Sequence, residues 1–256
     1  MEINNGIVKL VRTLEAKKHR DEEGLWVAEG TKCVRDTWGS FACRWLICTR
    51  AWFDRCGRAE YMPYTVFAPK SQMARMSQFT TASDVIAVYE KPDVQLDNDE
   101  VNRSINIVLD NLQDPGNLGT IIRLADWYGI NNVFASAGTV DVFNHKVVQA
   151  TMGAIARVKV HYADLEDLFD EYGHLPVYGT FLDGDNIYAC ADVHAGKPCF
   201  VVFGNEGQGI GRQVEARVTR RLTIPAARRV GQRSESLNVG LAAAITISEL
   251  MRDTLG

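Results

Sequence analysis

The sequence contains no run of apolar residues long enough to cross a bilayer. Its first five residues lack the basic stretch and the apolar core of a secretory signal. It also contains no internal repeat and no low-complexity tract. With 46% hydrophobic and 23% charged residues among 256, it has the composition of a folded globular protein with one large or two small cores. We therefore expect a cytoplasmic protein with no membrane segment.

Paired metal-binding cysteines are absent as well. The six cysteines never form a Cys-x-x-Cys pair, and none has zinc-finger spacing with the five histidines. In a chain of this length without a secretory signal, such cysteines are expected to be reduced and buried. We predict no disulfides and no metal site.

The chain has no excess of positive charge, since its formal net charge is −4. It therefore lacks the overall electrostatic signature of a nucleic-acid-binding protein, and any such affinity must come from local basic clusters. One cluster lies near the N-terminus and one near the C-terminus, and from them we select as candidate phosphate contacts Lys17, Lys18, Arg20, Arg228 and Arg229. The alternative is that both clusters are ordinary solvated faces, which is the commoner outcome for a run of charges.

What the sequence does contain is a repeated alternation of strand and helix patterns. The first hundred residues predict an amphipathic helix built on Ile7, Leu10, Val11 and Leu14, followed by strands over 25–28, 45–48, 64–68 and 85–89. Residues 91–103 are polar, contain a proline and lack periodicity, as is typical of a linker. We therefore predict a small α/β domain over residues 1–95, a linker over 96–104 and a second domain over 105–256.

The second domain has the same alternation over a longer stretch. Strands are predicted over 105–109, 132–135, 157–160, 177–181, 199–203 and 222–224. Helices are predicted over 118–128, 164–172, 212–219 and 239–254. Strands that alternate with helices predict an α/β domain with a mostly parallel sheet that is covered on both faces.

Two glycine-rich segments directly follow predicted strands. Residues 111–123 include Pro115, Gly116 and Gly119, and residues 200–210 include three further glycines around Glu206. The carboxyl ends of parallel strands are where α/β folds bind ligands, and glycines let the main chain approach a ligand closely. Either segment alone is weak evidence, because a tight strand-to-helix connection has the same composition. Glu206 could equally be a carboxylate at a helix start.

A third segment joins the last predicted strand to the last helix. The sequence LTIPA over residues 222–226 is followed by an arginine-rich loop and then by SESLNVG over residues 234–240. Ser236 and Asn238 are favourable N-cap residues, which would account for them without any catalytic role.

In their order along the chain, the three segments resemble the signature motifs of the SpoU (TrmH-type) branch of the SPOUT methyltransferases. The matching stretches are NLGTIIR over residues 117–123, FGNEGQG over 203–209, LTIP over 222–225 and SLNV over 236–239. Together they cover about 150 residues, and three ordered motifs are far more specific than one. The stretch around residues 17–32 is similar to the small α/β RNA-binding domain that often precedes this catalytic domain.

The resemblance implies a fold, a cofactor and a partner. The implied fold is an α/β sheet with a deep trefoil knot near the C-terminus, in a homodimer whose active site lies at the interface. The implied cofactor is S-adenosylmethionine, contacted by Gly204, Ile224 and Leu237. The implied reaction is methylation of a ribose 2′-hydroxyl in structured RNA, and the implied catalytic residues are Asn117, Arg123, Glu206, Ser236 and Asn238.

The sequence departs from the family pattern in two places. The link over residues 226–235 is longer than usual and carries additional cations, and Gly240 stands where the family often has serine. Neither change removes a residue that the resemblance assigns to chemistry.

The reaction suggests a role for each residue. Methyl transfer from a sulfonium needs an aimed 2′-oxygen and stabilisation of the charge that develops as its proton leaves. Because arginine has a pKa above about 12, we assign Arg123 first to the target phosphate and the developing oxyanion, and only second to proton abstraction. Glu206 would orient Arg123 or Asn117, while Ser236 and Asn238 would donate hydrogen bonds near the ribose.

Several alternatives remain open at this stage. Ribosomal RNA is favoured as the substrate because of the recognition domain, but transfer RNA is possible. A protein that binds RNA without turnover is a rival of a different class. A nicotinamide-dependent enzyme is a third, although the dinucleotide fingerprint G-x-G-x-x-G is missing after the first strand of the second domain.

Overall fold

The structure is a computed structural model, and it describes residues 1–190, 193, 196–227 and 235–254. The chain divides into two compact units. Unit 1 comprises Met1–Asp93 together with Asp141–Ala156, and unit 2 comprises Val94–Val140 and Arg157–Gly256. Asp141–Ala156 belongs to unit 1, although the predicted domain boundaries placed this segment in the second domain.

Unit 1 is built on a mixed four-stranded sheet. Its strands are β1 (Leu25–Glu29), β2 (Cys43–Cys48), β3 (Thr65–Phe67) and β4 (Val85–Glu90), in the order β1-β4-β2-β3. The pairings of β4 with β1 and β2 are antiparallel, and that of β2 with β3 is parallel. All four strands were predicted from the sequence to within about two residues at each end.

Helices cover the sheet of unit 1. They are α1 (Asn5–Thr13), α2 (Lys17–Glu23), α3 (Thr31–Thr37), α4 (Arg50–Cys56), α5 (Lys70–Met76) and α8 (His145–Ala150). Helix α1 begins where the Asn4 side chain accepts a hydrogen bond from the Ile7 amide, and it buries Ile7, Val8 and Val11. Helix α2 ends at Gly24, whose φ of +64° turns the chain directly into β1.

The prediction that Arg20 contacts RNA is wrong. Its side chain is only 3% exposed, because it forms a buried ion pair with Asp141 in the second segment of unit 1. Nε and Nη2 of Arg20 donate to Oδ2 of Asp141 at 2.9 and 2.6 Å, and Nη1 donates to the carbonyls of Leu14 and Glu15. With its donors used inside the unit, Arg20 has a structural role.

Unit 2 contains a six-stranded sheet in which every strand pairing is parallel. Its strands are β5 (Ile105–Leu109), β6 (Asn132–Ala135), β7 (Lys159–Tyr162), β8 (Val177–Asn186), β9 (Cys199–Phe203) and β10 (Arg220–Thr223), in the order β10-β8-β9-β5-β6-β7. The predicted parallel sheet is therefore confirmed. The extension of β8 to Asn186 was not predicted from the sequence.

The helices of unit 2 are α6 (Asn98–Val101), α7 (Pro115–Trp127), α9 (Leu165–Glu171), α10 (Arg212–Glu215) and α11 (Val239–Leu250). Helix α6 lies inside the predicted linker, where Asp97 caps it by accepting from the amides of Asp99 and Glu100. The centre of the unit is Phe200, whose ring packs edge-on against Phe134, Phe169 and Tyr172. No helix in the described ranges is long and apolar enough to span a membrane.

Because β5, β9 and β10 are parallel, their carboxyl ends lie at the same edge of the sheet. The loops of the three motif segments begin at these ends, after Leu109, Phe203 and Thr223. The fold therefore brings segments that are separated by up to about a hundred residues to one edge, where α/β proteins bind ligands.

Candidate active site

The first motif segment is held by side-chain hydrogen bonds from the loop after β6. Asn111 has a positive φ of 60°, and its amide donates to Oγ of Ser136 at 2.8 Å. The amide of Leu112 donates to Oγ1 of Thr139. Helix α7 then begins at Pro115, three residues earlier than predicted, with Asp114 as its N-cap. As a result Asn117 lies in the first turn of α7 and Arg123 in the third.

The second motif segment is a tight turn organised by Asn205. The main chains of Asn205 and Gly209 exchange two hydrogen bonds of 2.9 Å, and the Asn205 side chain accepts from the amides of Gly207 and Gln208. Its Nδ2 also donates to the carbonyl of Asn111, which ties the second segment to the first. Asn205 was not among the predicted site residues, although an asparagine before a glycine-rich turn is a recognisable signal in the sequence.

The third motif segment ends in the N-cap of α11. Oδ1 of Asn238 accepts hydrogen bonds from the amides of Gly240 and Leu241. Asn238 is therefore an N-cap, the structural role that its sequence position suggested. Gly240 lies against α7, because a Cβ atom there would be 3.2 Å from Cγ2 of Thr120 and 3.6 Å from Oδ1 of Asn117. The glycine at this position, which departs from the family pattern, thus permits a close approach of α11 to α7.

A chain of side-chain hydrogen bonds connects all three segments. Nδ2 of Asn117 donates to Oε1 of Glu206 at 3.1 Å, and Nδ2 of Asn238 donates to Oδ1 of Asn117 at 2.9 Å. Glu206 Oε1 also accepts from the amide of Asp114. The Asn117 amide is therefore fixed in one orientation, with its nitrogen toward the carboxylate and its oxygen toward α11. Of the two partners proposed for Glu206, the structure shows a contact with Asn117.

Two of the predicted catalytic residues are not part of this chain of hydrogen bonds. Arg123 and Ser236 are exposed, and neither makes a hydrogen bond or ion pair within the described ranges. Arg123 lies six residues after Asn117 on α7, about 9 Å further along the helix axis. Among the described residues, Arg123 is thus an unpaired cation on the surface of the helix that carries Asn117.

The comparisons with known proteins address the same region of the chain. Residues 104–248 match the model of the SpoU rRNA methylase family, and residues 5–87 match that of the MRM3-like substrate binding domain. The chain belongs to the SpoU rRNA methylase family. As a member of this family, it is an S-adenosylmethionine-dependent RNA ribose 2′-O-methyltransferase. Its N-terminal domain is of the substrate-binding type.

Individual relatives agree with this assignment. The 23S rRNA (guanosine(2553)-2′-O)-methyltransferase RlmP of Bacillus subtilis is 32% identical over 68% of this chain and 67% of its own length. A structure from Porphyromonas gingivalis, described as an RNA methyltransferase of the TrmH family, superposes with a TM-score of 0.86 at 37% identity, covering 98% of this chain and 99% of that one. An AdoMet-bound rRNA methyltransferase from Sinorhizobium meliloti gives a TM-score of 0.84 at 27% identity, covering 100% and 99%.

The residues expected to contact the cofactor in this SpoU protein fit such a ligand chemically. Gly204 and Ile224 directly follow β9 and β10, and within the described ranges their main-chain groups make no hydrogen bonds, so they are available to a ligand. Leu237 is 50% exposed and offers an apolar surface. Free main-chain donors and acceptors and an exposed apolar side chain are the kinds of group that bind a ligand with a heterocycle and a ribose.

The remaining predictions concern the arginine-rich link, metal ions and the cysteines. Arg228 and Arg229 fall outside the described residues. No group of three or more metal-ligating side chains occurs in the ranges that the structure describes.

The six cysteines are free. Burial raises the pKa of the Cys43, Cys48 and Cys199 thiols to about 12, so these three are protonated and unreactive at neutral pH.

Proposed function

We propose that this SpoU protein transfers the methyl group of S-adenosylmethionine to a ribose 2′-hydroxyl of ribosomal RNA. The observation that carries the proposal is the chain of hydrogen bonds that joins Asn117, Glu206 and Asn238 across three motif segments. Such a set of fixed polar groups exceeds what RNA binding alone requires. RlmP and the Sinorhizobium meliloti protein are both named as rRNA methyltransferases, and these names, together with the substrate-binding domain, favour ribosomal over transfer RNA.

We propose that Gly204, Ile224 and Leu237 hold the cofactor. When bound there, S-adenosylmethionine would supply an electrophilic methyl carbon, which an oxygen can attack in line as the carbon–sulfur bond breaks and the neutral thioether leaves, without a metal. Main-chain groups of Gly204 and Ile224 would bind its polar edge, and Leu237 would cover its apolar face. The N–H and C=O groups at these strand ends are set in place by the sheet, so little is lost in ordering them.

The protein's own residues would then position the ribose and stabilise its charge. Arg123 would hold the target phosphate and stabilise negative charge on the 2′-oxygen as its proton leaves. Glu206 keeps the Asn117 amide oriented, and Ser236 and Asn238 would donate hydrogen bonds near the ribose. Because the Asn238 Nδ2 already donates to Asn117 in the free chain, its contribution depends on the same hydrogen bonds.

The decisive variant is Arg123→Ala. Because Arg123 has no hydrogen bond or ion pair within the described ranges, its loss should change the free energy of unfolding by less than about 0.5 kcal/mol. Turnover should fall by about a hundredfold or more if the guanidinium stabilises the developing charge. Transfer of a tritiated methyl group to ribosomal RNA measures turnover. The matched control is Arg103→Ala, which removes an exposed arginine just after α6. Normal turnover by Arg123→Ala would remove its catalytic role.

Substrate class is tested separately from cofactor binding. Calorimetry should detect S-adenosylmethionine binding, and tritium should enter purified ribosomal RNA in preference to transfer RNA. Incorporation of tritium into transfer RNA alone would show that transfer RNA, and not ribosomal RNA, is the substrate. Cofactor binding without incorporation into either RNA would favour the binding-protein alternative.

We also propose that the protein is a homodimer. Trp127 on α7 is 83% exposed and Leu241 on α11 is 60% exposed, and the two helices pack against each other. Large apolar side chains with this exposure are typical of interfaces, and a partner there would lie beside α7 and so beside Arg123. Light scattering should give twice the chain mass for the wild type and for Leu182→Glu, and the single chain mass for Leu241→Glu. Equal masses for the two variants would contradict this interface.

The knot is the last element of the proposal. Resemblance to the family implies that the C-terminal segment threads a loop near the link between β10 and α11. The long arginine-rich form of that link, with Arg228 and Arg229, could add phosphate contacts beside the cofactor. A crystal structure of the cofactor complex that traces residues 224–238 would test both points, and an unthreaded path would exclude the knot.

A further inference from the structure

A groove of about 820 Å³ lies between α1 and α5 in unit 1. The two helices pack through buried residues, which leaves their polar faces as its walls. Three cations line the groove: Lys9 and Arg12 from α1 and Arg75 from α5. Glu15 is the one carboxylate among the lining residues that the structure describes. The groove is therefore a positively charged surface on a domain of the substrate-binding type.

The cations of this groove are unusual in lacking acidic partners. Of the 14 lysines and arginines in Met1–Asp93, nine form ion pairs with carboxylates. The five without such a partner in the described chain are Lys9, Arg12, Arg35, Lys70 and Arg75. Three of these line the groove, and Lys70 begins the helix that forms one wall. Uncompensated positive charge is thus concentrated at this place in unit 1.

The contrast with α2 is direct. Lys17 faces Asp21 at 3.3 Å and Lys18 faces Glu22 at 3.8 Å, while Arg20 is buried. The exposed surface of α2 is therefore neutralised by its own carboxylates. In the groove, the one acceptor that Arg75 has in the described part of the chain is the neutral side chain of Gln72, so its charge remains available.

We propose that the groove between α1 and α5 binds the phosphate backbone of the RNA substrate. The inference rests on the proposed function, since it assigns a surface to the same RNA. Cations at 3-residue spacing on α1, opposed by Arg75 on α5, can approach phosphates from both sides of a strand. None of the described residues that line the groove is aromatic, so it would contact the backbone and not read bases by stacking. The groove would supply affinity for RNA, while other parts of the protein would recognise the RNA sequence.

The test compares two triple variants of the full-length protein with equal change of charge. The groove variant is Lys9→Gln, Arg12→Gln, Arg75→Gln. The control is Arg44→Gln, Arg55→Gln, Arg58→Gln, three exposed arginines of unit 1 that each form an ion pair with a carboxylate. Binding of a fluorescein-labelled 30-nucleotide RNA stem-loop is measured by anisotropy at several salt concentrations, and Kd for S-adenosylmethionine by calorimetry.

For the groove variant we expect RNA affinity to fall at least tenfold near 0.15 M salt. The slope of log affinity against log salt should become shallower by about two to three, since each lost phosphate contact removes roughly 0.7 to 0.9. KM for ribosomal RNA should rise with kcat unchanged. The control should keep its affinity within about threefold, and both variants should bind S-adenosylmethionine normally.

Unchanged RNA affinity of the groove variant, or an equal loss in the control, would overturn the inference. A groove variant that no longer binds S-adenosylmethionine has lost its fold, and single substitutions at Lys9 and Arg75 then carry the test. If the wild type binds the stem-loop through the groove but methylates no RNA, the proposed function fails while the groove assignment stands.

Discussion

At the scale of single residues, Asn117 connects the three motif segments. Its amide nitrogen donates to Glu206 and its oxygen accepts from Asn238, so both ends of one small group are used. An amide can fill this position because it is a donor and an acceptor at once. A carboxylate of the same shape cannot donate.

Replacing Asn117 with aspartate should therefore disrupt the site with little change in shape. The new carboxylate would face Oε1 of Glu206, and repulsion between like charges should displace one of them. We expect turnover to fall about a hundredfold or more, with the free energy of unfolding lowered by only about 1 kcal/mol. Gln113→Glu adds the same charge on an exposed residue of the same segment and should keep most activity. Equal activity of the two variants in the tritium assay would contradict the role of Asn117.

His161 predicts how the stability of unit 2 changes with pH. Its ring is stacked on Phe134, and its Nε2 pairs with Oδ1 of Asn132. Burial, together with the charge of Lys159, lowers the pKa of His161 below its ordinary value of 6.5. The unfolded chain therefore binds this proton more readily than the folded one, so His161 favours unfolding as the pH falls below about 6.5.

The change to test is His161→Gln, which keeps a polar side chain but cannot titrate. Urea unfolding at pH 7.5 and 5.5 should show that the wild type loses more stability on acidification than the variant. The same loss in both would show that other groups account for the pH dependence.

At the scale of elements, the turn after β9 is the part of the site most sensitive to added volume. A Cβ atom at Gly204 would lie 2.2 Å from the carbonyl carbon of Gly209 and 2.3 Å from the amide nitrogen of Ile210. Both are main-chain atoms of the same turn, so the turn would have to open. At Gly207, by contrast, the nearest atom is Oδ1 of Asn205 at an ordinary 3.6 Å.

These distances predict different results for two alanine substitutions in one turn. Gly204→Ala should weaken S-adenosylmethionine binding at least tenfold, because it would displace the strand end whose main-chain groups we propose as cofactor contacts. Gly207→Ala should bind within about twofold of the wild type. Calorimetry measures both, and a tight-binding Gly204→Ala variant would exclude this turn from the cofactor site.

At the scale of the whole molecule, one buried ion pair connects distant parts of the chain. Arg20 and Asp141 are 121 residues apart in the sequence, and both are almost fully buried in unit 1. The carbonyls of Leu14 and Glu15 take up further donors of the guanidinium. Removing one partner of such a pair is costly, since the other charge stays buried without compensation.

Asp141→Ala should therefore lower the free energy of unfolding by about 3 to 5 kcal/mol. Asp141→Asn keeps an oxygen acceptor and should lose less. Glu22→Ala, which removes an exposed partner of Lys18, should change stability by less than about 1 kcal/mol. Urea unfolding followed by circular dichroism measures all three, and a loss for Asp141→Ala no larger than that for Glu22→Ala would show that the ion pair is not structural.

The sequence by itself determined the family and most of the strands. Strand and helix patterns are local, and the three motifs were readable in order because each is a short contiguous stretch. The starts of helices were harder to predict. Helix α7 begins at Pro115 because Asp114 caps it, and several polar residues in this segment could have been the N-cap until the structure showed which one accepts the hydrogen bond.

Only the tertiary structure decided which polar residues meet. Asn117 and Glu206 are 89 residues apart, and nothing local indicates that they share a hydrogen bond. The same holds for the burial of Arg20, which a cluster of basic residues in the sequence presented as a surface cation. A side chain's partners and exposure depend on segments that folding brings together from far along the chain, and neighbouring residues do not encode them.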